Sequence, residues 1–425
     1  MALQKYLSTY AEPETRSLGH LNGQYDHVLC IPVFAEDHAF LASCLQNIST
    51  ENLLVIVVVN APETAAKEKI NQTDSLFSAL EANHPLKQAL DENLSLHEVN
   101  HSTDLLLIQR CKPGFFLDKK GGVGLARKIA CDIACQLIHE GVITTPWVHT
   151  TDADAILPPG YFDSADALSP DLCAAAIYPF RHTHRNDDRL KLAQQLYDSS
   201  LDYYVHGLAW AGSPWAFHTV GSTLVINSRH YAQARGFPKR EAGEDFYLLN
   251  KLGKTGRIFR LECEPISLIS RQSDRVPFGT GPAINKILTM QDPVHEFRLY
   301  NPSCFIYLKA WHDLTRHLWQ ERKKELTAEF VTSHSSDINA EILIDCLSAM
   351  GVKKFLLHAF EHSTTEAIFL RHLHNWFDAF LSLKAVHWWR DHHFPSQTLE
   401  QVRQFDPLPF IQGLRDDHLP LPEAD

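Results

Sequence analysis

The chain has 425 residues, 44% hydrophobic and 21% charged, a balance that excludes global disorder and suits one large domain with an appendage, or two domains. Acidic residues outnumber basic ones 51 to 39, and the formal net charge of −12 excludes a protein that coats nucleic acid through a broad basic field. The nine cysteines form no C-x-x-C pattern, residues 1–23 are polar, and the longest apolar run (53–59) is too short to span a bilayer, so reduced thiols in a soluble cytoplasmic chain are expected.

In chain order, residues 28–33 predict a strand, and Phe40, Leu41, Cys44, Leu45 and Ile48 then recur at helical spacing. Residues 53–59 form an unbroken apolar run rich in valine, as a central parallel strand buried on both faces requires. Further strands are expected at 105–108, 147–151 and 174–178, and helices at 123–139, 188–205, 228–235 and 243–252. This alternation of strand and helix predicts an α/β fold with a mostly parallel central sheet flanked by helices. From about 285 to 395 the pattern turns helical with no clear strands. Phe369, Leu373, Trp376, Phe377 and Phe380 make one stripe, and Val352, Phe355, Leu356, Ala359 and Phe360 another. The tail from Pro395 reads as irregular.

Three segments carry chemistry. Thr150-Thr151-Asp152-Ala153-Asp154 follows a strand and precedes Pro158-Pro159-Gly160. Two carboxylates at i and i+2 can face one volume, and their hard oxygens suit Mg²⁺ or Mn²⁺ with positions left for phosphate. Lys119-Lys120-Gly121-Gly122-Val123-Gly124-Leu125-Ala126-Arg127-Lys128 opens a helix with four cations in ten residues. Glycines admit close backbone approach and helix N-terminal amides favour anions, while Walker and dinucleotide spacings are both missing. Gly243-Glu244-Asp245 opens another helix, where a carboxylate either caps the dipole or takes a proton from an acceptor hydroxyl. Downstream, Arg271-Gln272-Ser273-Asp274-Arg275-Val276-Pro277-Phe278-Gly279-Thr280-Gly281 reads as a mobile lid over a phosphate.

With Ile31-Pro32-Val33-Phe34-Ala35-Glu36 on the first strand and Asn60 ending the second, the order of these motifs resembles family 2 of the GT-A-fold glycosyltransferases over residues 26–281. The resemblance implies a GT-A transferase domain at 26–281, an N-terminal extension at 1–25 and a helical C-terminal region at 282–425. It implies transfer of a hexosyl group from a nucleoside-diphosphate sugar to a hydroxyl acceptor, with inversion and with Mn²⁺ or Mg²⁺ as cofactor. Asp245, beside Glu244, matches the family's general base, and Asp154 with Asp152 matches its metal-binding D-x-D. Pro32, Val33, Phe34, Glu36, Asn60, Lys120, Gly122, Arg127, Asp152, Arg271 and Arg275 would face the donor. Asn60 stands where the family has a base-binding Asp, and Lys128 where it frequently has Asn. Rival readings are a non-catalytic nucleotide-sugar-binding scaffold and a metal-dependent nucleotidyltransferase.

For the C-terminal region, Trp388, Trp389 and Arg322-Lys323-Lys324 suggest peripheral membrane contact or a homodimer, set against ordinary core packing. The chain carries 25 histidines, 12 of them after residue 290. His182-x-His184, His372-x-His374 and His392-His393 lack a Cys or carboxylate partner at a familiar zinc spacing, so they are expected at helix surfaces or in pH-sensitive contacts.

Overall fold

The computed structural model describes residues 2–19, 21–183, 187–273, 275, 277, 279–405 and 408–412. His184, and Asp274, Val276 and Phe278 of the expected lid, lie outside the described residues. The chain divides into two compact units, Met1–Asn186 with Thr219–Pro282, and Asp187–His218 with Ala283–Asp425.

The strands of the first unit are β1 (His27–Val33), β2 (Leu53–Asn60), β3 (Leu86–Asp91), β4 (Leu94–Asn100), β5 (Thr103–Arg110), β6 (Trp147–Thr150), β7 (Ala155–Ile156), β8 (Cys173–Ile177), β9 (Phe180–Thr183), β10 (Leu224–Asn227), β11 (Arg257–Arg260) and β12 (Ile266–Ile269). Among the described residues they form a nine-stranded sheet, β11-β8-β10-β6-β1-β2-β5-β4-β3, and a three-stranded sheet, β7-β12-β9. The centre is parallel: β1 pairs with β2 and β6, and β2 with β5. Antiparallel pairing enters at the β3–β4–β5 meander, where short connections reverse the chain, and where β10, reached through a long segment after β9, inserts between β6 and β8. The mostly parallel sheet expected from sequence therefore holds for the four central strands and for the edge pair β8–β11, and is broken by β10 and by the β3–β4–β5 meander.

Every residue of β2 is buried, as its apolar run requires, and the helix Gly122–Glu140 covers β1 and β2. Register fixes the site edge. β1 runs level with β2 from His27 opposite Leu53 to Val33 opposite Val59, whereas β6 stops at Thr150, opposite Cys30. Thr151–Asp154 therefore leaves the ladder beside the last residues of β1.

The first residues are bound into this unit. Tyr6, 1% exposed, donates to Asp132 Oδ1 at 2.5 Å, and the buried Lys128 donates to Tyr6 Oη at 2.6 Å and to Asp132 Oδ2 at 2.7 Å. Tyr231 and the Glu12 backbone N–H donate to the same carboxylate at 3.0 and 2.8 Å. Lys128, expected among free cations, is thus neutralised inside the core, the compensation that burying a charge demands.

The second unit is built on helices whose core includes Trp311, Phe369, Leu373, Phe377 and Trp389. Both predicted stripes face inward except Phe380, which is 39% exposed. The helix Glu366–Trp376 ends at Phe377, and a new helix capped by Asp378 starts at Ala379, so the periodicity breaks before Phe380. Two short strands, β13 (Arg298–Leu299) and β14 (Gln397–Thr398), pair antiparallel, correcting the strand-free reading of this region. Beyond Pro395 the chain is not wholly irregular either: Thr398 and Gln401 form a capping box that starts the helix Leu399–Arg403. Tyr203, Tyr204 and Trp210 pack around Phe305 and Phe410 in this unit. Trp389 is fully buried, Arg322 stacks on Trp319 with its guanidinium carbon 3.8 Å from the ring centre, and Lys323 lies over Phe330, so these groups serve intramolecular contacts. No helix among the described residues is long and apolar enough to cross a membrane.

Candidate functional site

The carboxyl ends of β1, β2 and β6 lie on one edge of the sheet, where open α/β sheets bind ligands. Asp152 and Asp154 leave the end of β6, and Arg127 reaches Asp152 from the first turns of the helix Gly122–Glu140. Its Nη2 donates to Asp152 Oδ1 at 2.6 Å, Nη1 to Thr150 Oγ1 at 3.1 Å, and Nε to Glu244 Oε1 at 2.9 Å. Gly221, just before β10, makes room: a Cβ there would lie 2.7 Å from Arg127 Nη2. Burial works against the Arg127 charge, but Asp152 and Glu244 more than offset it and raise its proton affinity above the usual arginine value.

A second cluster faces the same segment from the loop after β12. Arg271 clamps Glu36 through both oxygens, at 2.5 and 2.6 Å, and its Nη2 lies 2.9 Å from Asp154 Oδ2. Arg275 also binds Glu36 and donates to the Phe34 carbonyl at 2.9 Å. Burial opposes ionisation of Glu36, yet the two arginines win and hold its carboxyl below the ordinary range. The turn that presents Glu36 passes through Ala35 at φ +51°, a left-handed conformation that a non-glycine residue adopts at a cost.

Asp245 lies in the first turn of the helix Glu244–Leu252, behind Gly243 at φ +71°. Its Oδ1 accepts from the Phe246 N–H at 2.7 Å. Burial, reinforced by the adjacent Glu244 charge, pushes the Asp245 carboxyl up to about 7. Burial and the neighbouring Asp152 push Asp154 up to about 6, against the pull of Arg271. Five carboxylates (Glu36, Asp152, Asp154, Glu244, Asp245) thus meet three guanidiniums, a formal excess of two negative charges. An all-oxygen donor set with that excess fits a hard divalent cation.

The structure therefore gathers Glu36, Arg127, Asp152, Asp154, Glu244, Asp245, Arg271 and Arg275 into one linked charge system. Glu244 is spent on Arg127, only 4% of it being exposed. Pro32 and Val33 are buried at the end of β1 and Phe34 is half-buried. Asn60 is turned inward, its amide donating to the Val33 and Val58 carbonyls at 3.0 and 3.1 Å. Lys120 is exposed.

Packing within the protein itself requires glycine at 122 and 124. The Gly124 N–H donates to the Arg240 carbonyl at 3.0 Å, and Cβ atoms at 122 and 124 would strike the 238–241 backbone. Expected lid residues Arg271 and Arg275 are ion-paired rather than free. The left-handed Ala35 and the pairing of Arg127, Arg271 and Arg275 had no local signal in the sequence, since the acidic partners lie up to 239 positions away.

No family model matches this chain, and no curated protein matches it. Among solved structures, a mannosyltransferase, PcManGT from Pyrobaculum calidifontis, in complex with GDP-Man and Mn²⁺, aligns over 88% of this chain and 94% of its own. The two share 15% identity with a TM-score of 0.35, a likeness too slight to argue from.

Proposed function

We propose that this chain is a glycosyltransferase of GT-A type that moves a sugar from a nucleoside-diphosphate donor to an acceptor hydroxyl, with inversion. The observation that carries the reading is the convergence of Asp152, Asp154, Asp245 and Arg127 on one charge system at the carboxyl edge of the parallel strands. Asp154, with Asp152, would hold Mn²⁺ or Mg²⁺, which when bound offsets charge developing on the departing diphosphate. Pro32, Val33, Phe34, Glu36 and Asn60 would border the nucleoside. Lys120, Arg271 and Arg275 would face the diphosphate, Arg271 exchanging its contact with Asp154 for phosphate oxygens as the donor enters.

Asp245, with a carboxyl poised near neutrality, takes the proton of the acceptor hydroxyl as its oxygen attacks the anomeric carbon. The bond from that carbon to the diphosphate breaks on the opposite face, and its electron pair leaves with the diphosphate. Arg127 holds Asp152 in place and ties it to Glu244, which makes both positioning residues.

Asp245→Asn keeps the shape of the side chain and removes its basicity. Hydrolysis or transfer from a UDP- or GDP-sugar in Mn²⁺ should fall by about 10²–10⁴ while donor binding survives. Near-wild-type turnover by this variant would remove the base assignment.

A further inference from the structure

Outside that site, the second unit brings together three side chains whose chemistry the transferase reading does not use. His317 lies in the last turn of the helix Pro302–Gln320, and Glu321, four residues on, closes that helix, its N–H bonded to the His317 carbonyl at 2.9 Å. A spacing of four puts both side chains on one face. The chain then turns through Arg322, at φ +54°, and His334, the final residue of the helix Ala328–His334, comes back over them. The imidazoles of His317 and His334 lie ring to ring, centroids 4.2 Å apart. One ligand atom from each of the three residues falls within 4.8 Å of the other two.

The surroundings orient these groups. His334 Nδ1 is 3.0 Å from the Phe330 carbonyl oxygen and 2.9 Å from Ser333 Oγ, which turns Nε2 toward Glu321, 2.8 Å from Oε1. A metal-ligating histidine is typically fixed in this way, one ring nitrogen held by a carbonyl or another polar group so that the other is aimed. Nearby cations leave the centre open: Arg322 is turned onto Trp319, and Lys323 Nζ stands 3.9 Å from the outer Glu321 oxygen. Glu321 and His334 side chains are 41% and 20% exposed, so solvent reaches one side.

We propose that His317, Glu321 and His334 form a binding site for a zinc-class divalent transition ion, with the fourth position taken by water. Two imidazoles and one carboxylate prefer zinc and its neighbours to magnesium or calcium, which seek oxygen alone. Tetrahedral bonds of about 2.0–2.1 Å place ligand atoms roughly 3.4 Å apart. The short His334–Glu321 contact therefore opens slightly, and a separation at the 4.8 Å limit closes by about 1.4 Å, within the reach of partly exposed side chains. The ion would fasten the turn between the two helices. This site is independent of the Asp152–Asp154 pair, which offers oxygen only.

The test uses the full-length chain, stripped with EDTA and titrated with Zn²⁺ by calorimetry and with Co²⁺ by visible absorption, in excess Mg²⁺ to occupy oxygen sites. The expected result is a Co²⁺ d–d spectrum bleached by Zn²⁺. Replacement by His317→Ala, Glu321→Gln or His334→Ala should each weaken binding by at least ~10-fold. His358→Ala, in a different ring cluster with His362 and His372, should leave binding unchanged, and circular dichroism checks that each variant folds. Absence of Zn²⁺ binding, or binding that none of the three substitutions in folded protein weakens, overturns the proposal.

Discussion

Arg127→Met removes the guanidinium at the centre of the site while keeping most of the side-chain volume. Arg127 and Glu244 are 3% and 6% exposed, so the substitution strands a carboxylate away from water. Breaking a buried ion pair on one side costs about 3–5 kcal/mol, and the methionine keeps the aliphatic packing of the arginine stem, which favours the lower end. The Asp152 contact adds little, because that carboxylate is 37% exposed and water replaces the arginine there. A loss of about 3 kcal/mol lowers the melting temperature of a unit of this size by roughly 6–12 °C. Differential scanning calorimetry with and without 0.5 M NaCl reads it, and the shift should persist in salt because the pair is shielded from solvent ions. Adding Glu244→Gln should recover part of the loss, since no unpaired charge then remains. An Arg127→Met protein within about 0.5 kcal/mol of wild type, or a double variant worse than the single one, would refute the reasoning.

Two further outcomes follow from the first unit. His149 is wholly buried among Tyr161, Phe162 and Tyr178, and burial holds it well below its ordinary 6.5, so it stays neutral when folded and takes a proton only on unfolding. Its share of stability is present above pH 6.5 and is lost as pH falls, at up to about 1.4 kcal/mol per pH unit. His149→Phe should flatten that slope in urea unfolding between pH 7 and pH 5, and equal slopes would sink the idea. Gly124→Ala should destabilise the ligand-free protein by about 1–3 kcal/mol, since the new Cβ meets the Pro238 and Arg240 backbone. Unchanged stability in thermal unfolding would return that glycine to a ligand-facing role.

The sheet centre was legible because β2 is one unbroken apolar run and because the strand before Asp152 ends in a segment that cannot continue it. The β3–β4 hairpin was not legible: Leu86 is 60% exposed and β3 shows no clean apolar alternation at the sheet edge. Four-residue strands such as β9 and β12 carry too few residues for periodicity to register. At the site, the motifs located Asp152, Asp154 and Asp245, and local sequence could not say that the nearby cations were already paired. Lys128 is neutralised by Asp132 and hydrogen-bonded to Tyr6, 122 positions away, and Arg271 is neutralised by Glu36, 235 positions away. The histidine excess was visible as a number, while the His317–Glu321–His334 group needed the chain reversal after residue 321 to bring His334 back. The i, i+4 His–Glu pair was its one local signal.

The proposed transfer requires that a nucleoside diphosphate bind at Asp154 with the help of a metal ion. Titration calorimetry of UDP and GDP into wild type and Asp154→Asn, each in Mn²⁺ and in EDTA, tests it most directly. At least one of the two should bind wild type in Mn²⁺, and binding should collapse both in EDTA and in the variant. Failure of both nucleotides to bind in Mn²⁺, or equal affinity across all four conditions, would contradict it.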